Sequence, residues 1–240
     1  MSSFKEREQE NHELASAVEA SAGSEPARLA NDPARAARLA VLISGGGTTL
    51  RNLLELRARG EFAPSIELVI SSSPDTRGLE FARAAGIPTV VARKTRDLDD
   101  ATYSRQVFDP CRERRIDWVV MGGFLKHVRI PHDYAGRVVN IHPSLIPAFS
   151  GHGMYGLKVH QAVLDYGAAL TGCTVHLVDD DYDRGPILAQ RCVPVLPDDD
   201  AATLQRRVFR EECRLYPETL EKLVRGSLRV EGRRVRSMRV

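Results

Sequence analysis

From Arg38 onward the chain alternates short apolar runs with amphipathic stretches. The runs RLAVLIS (38–44), IELVISS (66–72), PTVVA (88–92), DWVVMGG (117–123) and RVVNIH (137–142) have strand length. Their near-continuous apolar character is that of strands covered on both faces, as in a parallel sheet. Between them, TTLRNLLELRARG places Leu50, Leu53 and Leu54 on one helical face and meets Gly60 as a stop. RGLEFARAAG closes at Gly86, and a third helix is expected from Asp99 to Arg114, bent or restarted near Pro110. The second half reads as a Gly-rich loop from Ser150 to Gly156, a helix through KVHQAVLDY, the strands TGCTVHLV and PILAQRCVPV, and a long helix from Ala201 to about Arg225. SLRVEGRRVRSMRV is expected to form a hairpin turning at Glu231 and Gly232. The pattern predicts an α/β fold: an open, twisted, mostly parallel sheet with helices on both faces and late antiparallel strands.

Residues 1–36 differ. They are rich in Glu, Ala and Ser with Phe4 as the sole aromatic, so a disordered tail is expected there, with a short helix from Glu6 to Ala20 as the alternative. Residues 37–240 are expected to form a single domain. With 42% hydrophobic residues and a net charge of +2 in 240 residues, the chain can build a core and has no charge excess that argues for duplex nucleic acid. The C-terminal arginines lack interleaved aromatics for base stacking, which favours a solvated hairpin over an RNA-binding tail. No apolar run reaches membrane-spanning length and the first ten residues are charged, so a cytoplasmic protein without membrane contact is expected. Cys111, Cys173, Cys192 and Cys213 form no C-x-x-C pair and read as reduced core thiols.

Three segments carry candidate chemistry. Ser44-Gly45-Gly46-Gly47-Thr48-Thr49 leads from the first strand into a helix, where bare backbone N–H groups and the positive helix end make an anion cradle. It lacks the Lys of a P-loop and the third Gly of G-x-G-x-x-G, so a single phosphate on a small substrate fits better than a nucleotide. Asn140-Ile141-His142-Pro143 ends a buried strand and puts Asn140 and His142 on one face at the sheet edge where open α/β folds bind ligands. An amide beside an imidazole polarises a carbonyl, stabilises an oxyanion and moves a proton. In the acidic loop Asp179-Asp180-Asp181-Tyr182-Asp183, Asp183 beside the Gly185-Pro186 turn is expected to face the crevice and hold a histidine or a water, the other three carboxylates being solvated. Neither this loop nor the set His142, His152, His160 and His176 has metal-site spacing, so no metal is expected.

With the Gly-rich turn, Asn140-Ile141-His142-Pro143-Ser144-Leu145-Ile146-Pro147, Asp183 before Gly-Pro, TGCTVHLV and Glu212-Cys213-Arg214-Leu215-Tyr216-Pro217, the chain resembles the folate-dependent formyltransferases, and among them the phosphoribosylglycinamide formyltransferase family. The resemblance implies a Rossmann-like formyltransferase fold and transfer of the formyl group of 10-formyltetrahydrofolate, as co-substrate, to the amine of glycinamide ribonucleotide in purine synthesis. It further implies that Gly45, Gly46, Gly47, Thr48 and Thr49 hold the phosphate and Glu212 orients the ribose. Asn140, His142 and Asp183 are the implied catalytic residues. Leu125, Lys126, His127 and Val128, with Val178, Asp179 and Asp181, are the implied folate wall, in a protein that works alone or as a homodimer. Thr48-Thr49 replaces the family's common Ser-Asn, Lys126-His127-Val128 replaces Arg-Ile-Leu, and the loop from Phe149 to Tyr155 departs from its commonest form. The polar N-terminal stretch and the few residues after the last helix argue against the larger deformylase and methionyl-tRNA relatives. The competing readings are a formyltransferase for an amino sugar nucleotide and a 10-formyltetrahydrofolate hydrolase.

Overall fold

The computed structural model describes residues 35–238; the helix considered for Glu6 to Ala20 lies outside them. Strand β1 (Arg38–Ile43) leads into α1 (Thr48–Ala58), then β2 (Ser65–Ser71), α2 (Gly78–Ala84), β3 (Thr89–Val91), α3 (Asp100–Glu113), β4 (Trp118–Met121) and β5 (Val138–His142). There follow α4 (Leu157–Tyr166), β6 (Leu170–Leu177), β7 (Ile187–Pro194), α5 (Ala201–Val224) and a hairpin of β8 (Leu228–Glu231) and β9 (Arg234–Ser237). The seven-stranded sheet has the order β3-β2-β1-β4-β5-β6-β7. Strands β1 to β5 run parallel, and β6 is antiparallel to both β5 and β7, as the sequence predicts.

Successive residues of a strand point to opposite faces, and β1 feeds two cores in this way. Leu39, Val41 and Ile43 pack with Leu50, Leu53, Leu79 and the α5 residues Leu204, Val208 and Leu220. Ala40 and Leu42 pack with Leu68, Ile70 and the α3 residues Tyr103, Val107 and Phe108 on the other face. Helix α5 starts with a capping box between Asp200 and Thr203. Buried Tyr216 anchors it across the sheet, its hydroxyl 3.0 Å from the Met121 carbonyl and 2.9 Å from that of Val139.

The chain winds outward from β1 to β3 and returns beside β1 with β4, so strand order reverses between β1 and β4. Loops after these two strands part there and leave a crevice.

Four details depart from the sequence reading. Helix α3 runs through Pro110 without restarting, because a proline in the last turn removes one backbone bond and leaves earlier turns whole. Glu231 pairs with Arg234, so the hairpin turns at Gly232-Arg233, with Gly232 at φ 59° as a two-residue turn of this kind requires. Cys111 and Cys173 are core thiols, but Cys192 is exposed on an edge strand and Cys213 is half-buried. Arg35, within the stretch expected to be tail, donates to both carboxylate oxygens of Asp117 at 2.9 and 3.0 Å.

Candidate active site

The crevice at the switch point has a volume of about 520 Å3, within the range of small-molecule sites. Every residue singled out above for catalysis, phosphate, ribose or folate lines it.

At one end lies the cradle. Gly47 caps α1 at φ 66°, and a Cβ there would stand 2.4 Å from the Gly78 Cα. It is therefore glycine for fold reasons twice over: a left-handed backbone and the packing of the turn against α2. Gly45 and Gly46 differ, since a Cβ on either meets nothing within 4 Å. No packing demands glycine at these two positions, and their bareness gives a ligand access to backbone N–H groups at a helix start. Helix α5 forms the facing wall with Gln205, Arg206, Phe209 and Glu212. It is tied to α1 by the Asn52 side-chain amide, which donates to the Cys213 carbonyl at 2.9 Å. Burial pushes the Glu212 carboxyl up to about 7.

At the other end β5 delivers Asn140 and His142. The His142 Nε2–H donates to the Phe149 carbonyl at 2.9 Å, an assignment fixed by the acceptor-only carbonyl. That leaves Nδ1 facing Asp183 Oδ2 at 3.4 Å. Burial lowers the His142 pKa, with the Asp183 charge opposing it, so the ring is neutral at pH 7 with its free lone pair beside a carboxylate.

His176 was weighed from sequence only as a zinc ligand. On β6 it sits opposite Asn140 in register. Its Nδ1–H donates to the Leu177 carbonyl at 2.8 Å, and its Nε2 accepts from Asn140 Nδ2 at 3.2 Å. The same Nε2 is 3.6 Å from Asp183 Oδ1. Asp183 thus lies between two imidazoles. Burial alone would raise its pKa, but the His176 imidazole, the His142 ring and a 2.8 Å bond from the Gly151 N–H together hold it below the usual carboxylate value. Its backbone is left-handed at φ 56°, which Asp tolerates better than most residues. A histidine inside the strand TGCTVHLV is the one sequence signal for His176, and the pairing opposite Asn140 emerges only from the β5–β6 register.

The third wall comes from loops. Tyr182 packs tilted against His127 at 5.2 Å and edge to face with His152 at 5.6 Å between ring centres, joining the acidic loop, the β4–β5 connection and the Gly-rich loop. Asp180 accepts from the Ile130 N–H at 3.1 Å, and its carbonyl lies 2.9 Å from His127 Nε2. Of the three carboxylates expected to be only solvated, Asp180 instead anchors the loop. Gln205, Arg206 and Phe209, which the sequence does not mark, line the crevice too, as do Met154 and Tyr155 of the Gly-rich loop and His160, which the sequence offers only as a metal ligand. His160 is 1% exposed, its Nδ1 has no hydrogen-bond partner, and burial lowers its pKa to about 4. Among the described residues no three His, Cys, Asp or Glu side chains are grouped to hold a metal ion.

Fold and site together define a doubly wound α/β protein whose switch-point crevice joins a bare glycine turn at a helix start to an amide, two imidazoles and a carboxylate. The Formyl transferase family model matches residues 37–220, and the chain belongs to that family. It is 40% identical over 191 residues to the phosphoribosylglycinamide formyltransferase, chloroplastic, of Vigna unguiculata, covering 79% of this chain and 61% of that relative. The chain thus spans about three fifths of the length of that curated plant relative. The crystal structure of glycinamide ribonucleotide transformylase 1 from Symbiobacterium toebii superposes with a TM-score of 0.79 at 34% identity, covering 90% of this chain and all of that one. A formyltetrahydrofolate deformylase from Pseudomonas syringae pv. tomato shares the fold with a TM-score of 0.77 at 22% identity, over 86% of this chain and 67% of that one. The fold by itself therefore does not choose between formyl transfer and formyl hydrolysis.

Proposed function

We propose that this chain transfers the formyl group of 10-formyltetrahydrofolate to the primary amine of 5′-phosphoribosylglycinamide, a step of purine synthesis. The observation that carries this reading is the shared crevice. A cradle for one phosphate, bare at Gly45 and Gly46, opens into the same space as Asn140, His142, His176 and Asp183. A hydrolase using water has no need of an anion cradle. The folate is read against Leu125, Lys126, His127 and Val128 and the loop from Val178 to Asp183, the acceptor phosphate against Gly45 to Thr49, and the ribose against Glu212.

The neutral amine attacks the formyl carbon, and the carbonyl electrons move onto oxygen. An Asn140 N–H supports that oxyanion, a contribution of about 10²–10³ in rate for one such donor. The proton released by the attacking nitrogen goes to His142 Nδ1, whose positive charge is then held by Asp183 and lies beside the oxyanion. Collapse breaks the bond from the formyl carbon to N10 of the folate, and N10 takes up the proton. His176 holds Asn140 and Asp183 in place. Most of the remaining rate comes from holding amine and formyl carbon together.

The test is to mix protein, 10-formyltetrahydrofolate and glycinamide ribonucleotide, follow the folate absorbance, and identify products by mass spectrometry with an amine-free control. Formylated ribonucleotide that appears only with the amine is expected. Formate released without amine means the hydrolase, and folate binding without turnover means a different amine acceptor, such as an amino sugar nucleotide. Among the described residues no helix is long and apolar enough to cross a membrane. A cytoplasmic setting belongs to this proposal, and cell fractionation checks it.

A further inference from the structure

The cradle contains no cation. Its residues run Ser44-Gly45-Gly46-Gly47-Thr48-Thr49, and the nearby Arg51 on α1 is engaged elsewhere, 3.5 Å from Glu55 and 5.8 Å over the Phe81 ring. The crevice also carries the carboxyl of Glu212 and the loop carboxylates Asp179, Asp181 and Asp183, which disfavour an incoming dianion. Only two Lys or Arg side chains line it among the described residues, Lys126 and Arg206.

Of the α5 arginines, Arg206 and Arg210 are exposed with no side-chain hydrogen bond or close ion pair, and of these two Arg206 lines the crevice. Arg207 is clamped to Asp199 at 2.5 and 2.7 Å, and Arg214 and Arg225 are bound to Glu211 and Glu221. Arg206 is exposed, and its side chain makes no hydrogen bond and no ion pair within 4 Å among the described residues, its charge reaching Asp200 at longer range. Residues three apart share a helix face, so Arg206 stands one turn before Phe209 and two before Glu212, and those two residues line one tight recess together with Thr49 of the turn. The axial rise from Phe209 to Arg206 is about 4.5 Å, less than the length of an arginine side chain.

We propose that Arg206 is the cation of the phosphate site: its guanidinium folds down over the phosphate of the acceptor, whose other oxygens take the bare N–H groups of the Gly45–Thr49 turn. This rests on the reading of the acceptor as a phosphorylated ribosyl amine. A planar guanidinium suits the task because it makes two parallel charge-assisted bonds to a phosphate, and an arginine whose side chain holds no hydrogen bond breaks none to do so.

The test compares Arg206→Gln and Arg206→Lys with the unaltered protein, on glycinamide ribonucleotide and on glycinamide riboside, which lacks the phosphate. Arg206→Gln raises KM for the ribonucleotide about 10- to 50-fold, as expected for loss of a charge-assisted pair, with kcat and the folate KM within twofold. Arg206→Lys falls between, and the riboside is used equally by all three. A ribonucleotide KM unchanged by Arg206→Gln, or an equal loss on the riboside, overturns the proposal, as does finding the phosphate effect in Lys126→Gln instead. Calorimetry with ribose 5-phosphate needs no formyl transfer: weaker binding to Arg206→Gln supports the site even if the ribonucleotide is never formylated. Normal turnover with Arg206-independent ribose 5-phosphate binding refutes the site alone. Melting temperature, unchanged at this exposed position, excludes a folding effect.

Discussion

The two ends of the crevice are built by different means. The cradle end is held by backbone: a turn between β1 and α1 whose Gly47 packs against Gly78, and two helices joined by Asn52. The catalytic end is held by side chains reaching between loops far apart in sequence. His142 bonds to the Phe149 carbonyl, Asp183 to the Gly151 N–H, and Tyr182 packs against His127 and His152. It also holds two of the three non-glycine residues at positive φ among the described residues, Phe149 at 51° and Asp183 at 56°, the third being Arg115 after α3. On the proposed function, the phosphate is held by backbone, while the proton is handled by groups whose separations are set by contacts between loops. Strain gathered where chemistry is done fits functional sites generally.

The sharpest way to break this contrast is at Asp183. Asp183→Asn keeps the shape and one acceptor for the Gly151 N–H but removes the charge between His142 and His176. We expect kcat to fall about 10²- to 10⁴-fold with both KM values within threefold, and the double variant with His142→Ala to lose little more than the worse single one. Additive losses would mean that the two residues do not act as one unit. Because His142 is held below its ordinary pKa, kcat/KM should stay level to lower pH than a free imidazole allows and fall only as the ring protonates. A midpoint at or above the ordinary histidine value would refute the lowered pKa of His142.

The cradle end makes an opposite prediction, in which two adjacent glycines part company. Gly47→Ala meets both a left-handed backbone and the Gly78 backbone, and should cost about 3 kcal/mol or more, a fall in Tm of roughly 6–12 °C. Gly46→Ala should leave Tm unchanged and raise the acceptor KM about tenfold, equivalent to about 1.4 kcal/mol. If both variants melt early, both glycines serve the fold and the bare turn is no sign of a ligand.

The same difference explains what was legible in the sequence. The strands, the helices and the cradle follow from periodicity and from glycines placed at a strand–helix junction, which are local signals. Asn140 and His142 were legible because two residues on one strand must share a face. His176 was not, because its role depends on the β5–β6 register, and Arg206 was not, because nothing local marks which face of α5 meets α1. Asp180 reads as solvated in the sequence because its partner, the Ile130 N–H, lies 50 residues away. Contacts fixed by tertiary packing leave no pattern in a single strand or helix.

Glu212 links the ends through stability. Burial raises its pKa from 4.5 to about 7, so the folded state disfavours the carboxylate: the stability tied to the protonated acid is whole below about pH 4.5 and lost as pH rises through about 7. Glu212→Gln should therefore be more stable than the unaltered protein by about 1–3 kcal/mol at pH 8 and equal to it at pH 4.5, while its acceptor KM rises. Equal melting curves at pH 8 would show that Glu212 is already charged and well solvated without ligand.

The smallest effect expected is at His160, where the two constructions meet, since α4 carries this buried ring between the Gly-rich loop and the α5 wall. Its Nδ1 is buried and unpartnered, and an unpaired buried polar atom costs stability that an apolar side chain of similar size does not. His160→Leu should thus raise stability by about 1 kcal/mol at pH 8. The gap should widen on acidification, because a pKa lowered from 6.5 to about 4 means that the unfolded chain binds a proton the folded one refuses, so the unaltered protein loses stability as pH falls from 6.5 toward 4. A lower Tm for His160→Leu at pH 8 would mean that the ring is bonded after all, placing this part of the wall with the side-chain-built end.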